Sequence, residues 1–192
     1  MPLSKPNNRK LTHTRIVTCK GYEHEKNKLW DIEGHIVDTK PYSFPNRDRG
    51  GEIKKGEALH EMWIRLTIDI DMNIVDAEGC IDASPFNHCH TISSIIQSLA
   101  GLQITPGWTR KTRQIMGGKK GCTHLTELLG PMATVAYQTI FSAKGQYAKT
   151  TDSNIKEQGK PPFIDQCFSL SADSPVVLEY WPDFAIKSAE DK

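Results

Sequence analysis

The stretch that decides the fold reads EMWIRLTIDID over residues 61–71 and IVDAEGCI over residues 74–81. In the first segment aliphatic residues alternate with polar or aromatic ones, which is the period of a strand with one buried face. Asp71, Met72 and Asn73 between the segments are typical of a turn. The sequence therefore predicts an antiparallel hairpin over 61–81.

Two further strands are predicted upstream of this hairpin. Residues 15–20 alternate, and residues 29–38 place Trp30, Ile32 and Ile36 on one face. Residues 39–58 are rich in proline and glycine, so they form either a long loop or a hairpin with a wide tip.

Helices are predicted downstream. Ser84 and Pro85 indicate a helix start, as N-cap and first helical residue, and a helix follows over 85–101. Its apolar residues recur at three- and four-residue spacing, as expected for one buried face: Ile92, Ile95, Ile96, Leu99 and Leu102. A short basic helix over 107–116 and a long helix over 122–142, kinked or divided at Pro131, complete the core. The predicted fold is α+β, an antiparallel sheet with helices packed on one face.

Composition and charge narrow the class of protein. A hydrophobic content of 38% with 24% charged residues is typical of a globular protein. The chain of 192 residues is long enough for one domain. We expect a single domain over 1–192, with an extended arm over 1–14, a core over 58–143 and a loop-rich tail over 152–192 that holds one strand at 175–180.

A formal net charge of +1 predicts no nucleic-acid partner. The first residues lack an apolar leader and no run approaches the length of a membrane helix, so we expect a cytoplasmic protein with no membrane partner.

The chemistry is expected around GGKKGCTHLTELL, residues 117–129. A glycine-rich turn enters a helix whose first residues include Cys122 and His124. The positive end of a helix stabilises a thiolate, which makes a cysteine there a better nucleophile or metal ligand. The alternative is an ordinary helix cap with a buried, inert cysteine.

A metal site is predicted from three residues that can meet at one end of the sheet. Cys89 lies near the start of the helix that follows the hairpin, Cys122 starts the later helix, and His60 precedes the first hairpin strand. One histidine and two cysteines can hold zinc with an open fourth position, and the same soft ligands suit an iron–sulfur cluster. Alternatively, Cys89 merely extends the apolar stripe of its helix.

The remaining site residues concern the substrate. Glu127 or His124 is the predicted acid–base, and Lys119 with Arg113 is predicted to bind a carboxylate or phosphate. A solvated basic helix face also explains those cations. His13 and Arg15 can line a pocket, but ordinary solvent-facing strand positions explain them better.

Three functions follow from these residues. The first is a small-molecule enzyme that binds a divalent metal ion, with zinc as the expected ion, and acts on an anionic substrate. The second is an iron–sulfur or sulfur-transfer scaffold that binds partner proteins. The third is a non-catalytic binding module with inert cysteines.

Residues 58–143 resemble the NifU-type scaffolds of iron–sulfur cluster assembly. The similarity is carried by Ile74–Val75–Asp76–Ala77, by Cys89, and by Cys122–Thr123–His124–Leu125–Thr126–Glu127, which has the form C-x-x-L-x-E. It implies a NifU-like core with Cys89 and Cys122 as ligands and His60 where the family has its first cysteine. Met62 stands where that family has an aspartate that assists cluster release.

Most of the chain resembles a bacterial family catalogued as a domain of unknown function. This resemblance is carried by His13–Thr14–Arg15, by residues 29–35 (LWDIEGH) and by residues 121–129 (GCTHLTELL). It implies no established reaction.

Overall fold

Among the residues that the structure describes, the strands lie before the α-helices, an order typical of α+β proteins. The computed structural model describes residues 3, 7–143, 160, 161 and 163–186. The strands are β1 (Thr14–Glu23), β2 (Leu29–Thr39), β3 (Phe44–Asn46), β4 (Gly51–Ile53), β5 (Ala58–Asp69) and β6 (Ile74–Ala83). The α-helices are α1 (Trp108–Met116), α2 (Thr123–Ala143) and α3 (Pro175–Tyr180).

The main sheet has four antiparallel strands in the order β1-β2-β5-β6. The predicted 61–81 hairpin is confirmed as β5 and β6, joined by a turn in which Met72 has a φ of 64°. The Asp69 carboxylate accepts the backbone N–H groups of Asp71 and Asn73, both at 2.9 Å, which stabilises this turn. Of the two forms predicted for 39–58, the structure has the hairpin, formed by β3 and β4.

The first predicted helix differs from the prediction. Instead of an α-helix over 85–101, the chain forms a 3₁₀ helix over Asn87–Leu99 with Phe86 as its N-cap. Ser84 does not cap it, because its hydroxyl donates to the Phe86 carbonyl oxygen at 2.9 Å and so turns away from the helix N–H groups. The prediction that Ser84 is the N-cap is therefore wrong.

The basic helix predicted for 107–116 is confirmed as α1, and the long helix is confirmed as α2. α2 is not divided at Pro131, which lies inside one continuous helix of 21 residues. The sequence GKK between α1 and α2 forms a 3₁₀ turn over Gly118–Lys120. Gly118 has a φ of 58° there, a conformation that favours glycine.

The helices cover one face of the sheet, as predicted. Alternate residues of β2 and β5 are buried, and they form one apolar core with residues of the 3₁₀ helix, α1 and α2. Two strand glycines allow close approach: a Cβ at Gly34 would lie 2.5 Å from Met132 Sδ, and one at Gly79 would lie 2.5 Å from Ile96 Cγ1. The NifU-like form of this core stays a prediction.

The chain divides into two compact units, Met1–Ile140 and Phe141–Lys192, and the single-domain organisation stays a prediction. The second unit has its own small core of Ile164, Ala172 and Val177. The strand predicted for 175–180 is wrong, since these residues form α3. Ser174 caps this helix by accepting the Val177 N–H at 3.1 Å, and Pro175 occupies its first turn. Within the described ranges, no helix combines the length and the apolar character needed to cross a bilayer.

Candidate functional site

Three polar residues form a row across three neighbouring strands. Arg15 of β1 pairs with Asp38 of β2, and Asp38 pairs with His60 of β5. Paired residues of adjacent strands point to the same face of a sheet. The face is the one covered by helices, because Ile36 and Met62, two residues from Asp38 and His60, are buried in the core. A carboxylate thus occupies a core-facing position at the end of β2.

Helix α2 brings His124 to this row. The helix crosses β2 at Gly34, where Met132 lies. Eight residues back along the helix, from Met132 to His124, span about 12 Å. Four residues along the strand, from Gly34 to Asp38, span about 13 Å. The first turn of α2 therefore meets the end of β2, and His124 Nε2 lies 3.5 Å from Asp38 Oδ2.

The Asp38 carboxylate is the centre of the cluster, and only 1% of its side chain is exposed. Oδ1 is 3.1 Å from His13 Nε2 and accepts Arg15 Nε at 2.8 Å. Oδ2 accepts Arg15 Nη2 at 2.8 Å and His60 Nδ1 at 3.0 Å. Both oxygens are therefore bound on the strand side, and His124 approaches Oδ2 from the helix side.

The charge of Asp38 is stabilised by these neighbours. Burial alone would raise the pKa of Asp38, but the hydrogen bonds and positive charge of Arg15 outweigh burial, and His13 and His60 add further hydrogen bonds. The net effect holds the pKa of Asp38 well below its usual range. In turn, the hydrogen bond to Asp38 raises the pKa of Arg15. This pair stays ionised at neutral pH.

The two imidazoles lie against each other, with ring centroids 3.8 Å apart and planes tilted by 31°. Burial lowers the pKa of His60, and the neighbouring His124 lowers it further, although Asp38 opposes the shift. Burial also lowers the pKa of His124, with a further contribution from the positive charge of Arg15. Both rings are consequently neutral near pH 7, which is the form that binds metal ions.

Asp38, His60 and His124 have the arrangement of a metal-ligand set. One ligand atom from each lies within 4.8 Å of the others, and the part of the chain that the structure describes holds no second group of this kind among its His, Cys, Asp and Glu residues. His60 was expected as a ligand from the sequence. The sequence predicts His124 as an acid–base, and it predicts no role for Asp38.

The two predicted cysteine ligands are placed differently from each other. Cys122 Sγ lies 3.8 Å from His124 Nδ1 and 3.8 Å from Met62 Sδ, at the edge of the cluster. Cys89 lies in the first turn of the 3₁₀ helix, where its N–H donates to the Phe86 carbonyl oxygen. The structure brings His60 and Cys122 to the same place, and Cys89 is not a member of the group around Asp38.

A cleft of about 520 Å³ is lined by residues of α1, the glycine turn and α2. Arg113 and the predicted acid–base Glu127 both line it, together with Trp108, Thr109, Thr112, Gly117, Gly118, Thr123, Thr126 and Gly130. Trp108 Nε1 donates to the Leu129 carbonyl oxygen at 3.0 Å in a buried contact that holds α1 against α2.

Glu127 connects the cleft to the cluster. Its carboxylate pairs with Arg15 Nη1, and the same guanidinium binds Asp38. Lys119, predicted to bind an anion together with Arg113, is exposed in the turn before α2 and does not line the cleft.

The alternation of buried and partly exposed residues along β2 indicates that Asp38 faces the core. The prediction that Trp30, Ile32 and Ile36 share a buried face places residue 38 on that face too, two positions after Ile36. A carboxylate there needs a partner, and Arg15 in the neighbouring strand supplies it. Arg15 and His13 had been explained as solvent-facing strand residues, but both bind Asp38.

Comparison with protein families gives a match over most of the chain. The model of the family described as "Protein of unknown function (DUF2889)" matches residues 13–138, which include Asp38, His60, His124 and the cleft. No curated protein and no solved structure matches the chain.

Proposed function

Because the chain belongs to the DUF2889 family of proteins of unknown function, we propose its function from the site itself. We propose a small-molecule enzyme that depends on one divalent metal ion, held by Asp38, His60 and His124. The observation that carries the proposal is the convergence of these three ligand atoms within 4.8 Å of one another. They come from two paired strands and the first turn of a helix, so the backbone fixes their positions.

The ligand set suits a catalytic ion. Two imidazoles and one carboxylate are the protein ligands of many catalytic zinc sites, which leave a fourth position open. The same set can hold iron(II). We propose zinc, in agreement with the expectation from sequence, although the ligands differ. A divalent ion supplies Lewis acidity, which polarises a carbonyl group or activates water.

The surrounding residues would orient the ligands. Asp38 Oδ1 is bound by His13 and Arg15. Oδ2, which also accepts Arg15 Nη2, is the oxygen that both imidazoles approach, and we propose it as the oxygen for the ion. A neutral His60 can carry its proton on Nε2, so Nδ1 becomes free to bind the ion in place of its hydrogen bond to Asp38. Hydrogen bonds to a ligand carboxylate are typical of metal sites and fix its orientation.

Glu127 is proposed as the acid–base, and Arg113 as the group that binds an anionic substrate. Glu127 both lines the cleft and pairs with Arg15 of the cluster. His124, the other residue predicted for acid–base chemistry, serves as a metal ligand in this proposal.

We also propose a cytoplasmic location.

The iron–sulfur alternative requires several thiolates, since such clusters are held mainly by cysteine sulfur. Cys122 alone of the predicted cysteine ligands lies beside the cluster. A single divalent ion therefore fits the ligands better than an iron–sulfur cluster does. The scaffold function and the binding module become outcomes of the test.

The test is metal analysis of protein purified without oxygen, before and after chelation and reloading with zinc. We expect one zinc per chain, and loss of zinc in Asp38→Asn, His60→Ala and His124→Ala. Cys89→Ser and Cys167→Ser are matched controls that should keep the metal. Iron with labile sulfide that depends on Cys89 would indicate the scaffold, and no bound metal would indicate the binding module.

A further inference from the structure

Gly130 leaves an open position in the wall of the cleft. It is the single glycine of α2, and a Cβ added to it would meet no atom within 4 Å beyond its own helical neighbours. Glycine is, after proline, the least favourable residue inside a helix. Close packing explains the glycines at 34 and 79, but it does not explain this one.

The open position faces a space of the right size for a small molecule. The cleft of about 520 Å³ lies within the usual range of roughly 300–1,000 Å³ for small-molecule sites. Trp108 lines the same cleft as Gly130. The Trp108 ring provides an apolar surface, and the absence of a side chain at Gly130 leaves room for an apolar group.

The charge of the cleft selects the class of anion. Among the residues that the structure describes, Arg113 makes no side-chain hydrogen bond or ion pair, whereas Glu127 is paired with Arg15. Lys119 and Lys120 do not line the cleft, and Lys120 donates to the Gln114 carbonyl oxygen. One unpaired guanidinium can bind a carboxylate in a bidentate pair and balances its single charge, whereas it balances only half the charge of a phosphate dianion.

We propose that the cleft binds a small carboxylate with a planar apolar group, in which Arg113 binds the carboxylate and the open position at Gly130 receives the apolar group. Gly130 is then the residue that sets the size of the substrate. This inference rests on the proposed function, because it names the substrate class of the same enzyme.

The test uses benzoate, acetate and inorganic phosphate as probes, with binding followed by NMR shifts of the backbone amides of the full chain. Benzoate should shift the amides of Gly118, Thr123 and Gly130, and should bind more tightly than acetate or phosphate. Arg113→Gln should weaken both carboxylates. Tighter binding of phosphate, or benzoate shifts outside the cleft, would overturn the inference.

Substitution of Gly130 tests the size-setting role. Gly130→Leu should weaken benzoate by about tenfold or more, as expected when an apolar site is filled, and should change acetate by less than about twofold. The matched control is Thr134→Leu, which places the same side chain one turn later on α2, outside the cleft. Equal benzoate affinity in Gly130→Leu and the unchanged protein would contradict the proposal.

Pro131 supplies another explanation for Gly130, because a side chain before a proline is crowded in a helix. The same comparison is therefore made in a Pro131→Ala background, which removes that crowding. Gly130→Leu should still weaken benzoate there. Recovery of benzoate affinity in this background would mean that helix strain, and not occupation of the cleft, caused the loss.

The metal proposal and the cleft proposal can be disproved independently of each other. Gly130→Leu should keep its zinc, since no metal ligand is changed. If the wild-type chain binds no metal but benzoate still binds at Gly130, the metal proposal is wrong and the cleft proposal stands.

Discussion

Asp38 Oδ2 of strand β2 accepts a hydrogen bond from His60 Nδ1 of the paired strand β5 at 3.0 Å. Only 1% of the Asp38 side chain is exposed. The buried carboxylate is tolerated because Arg15 binds both of its oxygens. The same residue therefore orients one imidazole and ties the edge strand β1 to the centre of the sheet.

Replacing Asp38 by Asn should destabilise the fold. The change removes the buried carboxylate that binds Arg15 and leaves the guanidinium only its exposed pair with Glu127, so we expect a loss of about 1–3 kcal/mol. Urea unfolding measures the difference. Asp76→Asn, which changes an exposed carboxylate of β6, should stay within about ±0.5 kcal/mol. Equal stability of the two variants would mean that Asp38 is not buried against Arg15.

The packing of α2 on β2 should depend on Gly34. A Cβ there would lie 2.5 Å from Met132 Sδ, so Gly34→Ala should cost about 1–3 kcal/mol through overpacking. Met132→Ala removes the clashing atoms, and the double variant should lose much less than the sum of the two single changes. Additive losses would show that α2 does not cross β2 at this point.

Whether each element of the fold could be predicted from the sequence depended on how long and how specific its local pattern is. The β5–β6 hairpin was predictable because its alternation extends over two full strands. α3 was missed, although Ser174 and Pro175 are a cap and a first-turn proline, because its short apolar run also suits a strand. Asp38 lies in the right alternation, but its partner Arg15 is 23 residues away, a distance over which the sequence shows no pairing.

The metal site was only partly predictable for a similar reason. His60 and the start of α2 were recognised from local sequence, but which side chains meet depends on where α2 crosses β2. The point where α2 crosses β2 is fixed by Gly34 and Met132, which are 98 residues apart in the sequence. The helix that carries Cys89 starts later than expected, and Cys89 is not in the group around Asp38.

Acidification should weaken the metal-free fold between about pH 7 and pH 5. The pKa values of His60 and His124 are lowered by burial, so the unfolded chain binds more protons than the folded chain below the ordinary histidine pKa of about 6.5. Their contribution to stability is present above that pH and is lost as the pH falls. Asp38, whose pKa is lowered, loses its contribution only below the ordinary aspartate range.

Urea unfolding in a chelator at pH 7 and pH 5 measures this effect. The double variant His60→Gln, His124→Gln should show a smaller decrease than the unchanged chain, by at most about 1.4 kcal/mol per pH unit for each imidazole. His88→Gln, which changes an exposed histidine, is the control and should behave like the unchanged chain. Identical pH dependence in all three proteins would contradict buried, neutral imidazoles.

Metal loading should stabilise the fold against heat in a way that needs both imidazoles. An ion that binds only the folded chain raises its stability by about 2.7 kcal/mol at a free concentration 100 times its Kd. Zinc should therefore raise the Tm of the unchanged chain and of His88→Ala, but not of His60→Ala or His124→Ala. An equal rise in all four proteins would indicate binding elsewhere.

The most direct test of the central claim is X-ray absorption at the zinc edge of the loaded protein. If Asp38, His60 and His124 hold the ion, the nearest atoms are nitrogen and oxygen at about 2.0–2.2 Å with no sulfur neighbour, and Cys122→Ser and Cys89→Ser give the same spectrum. A sulfur neighbour at about 2.3 Å, lost in Cys122→Ser or Cys89→Ser, would contradict the account and support the cysteine ligands instead.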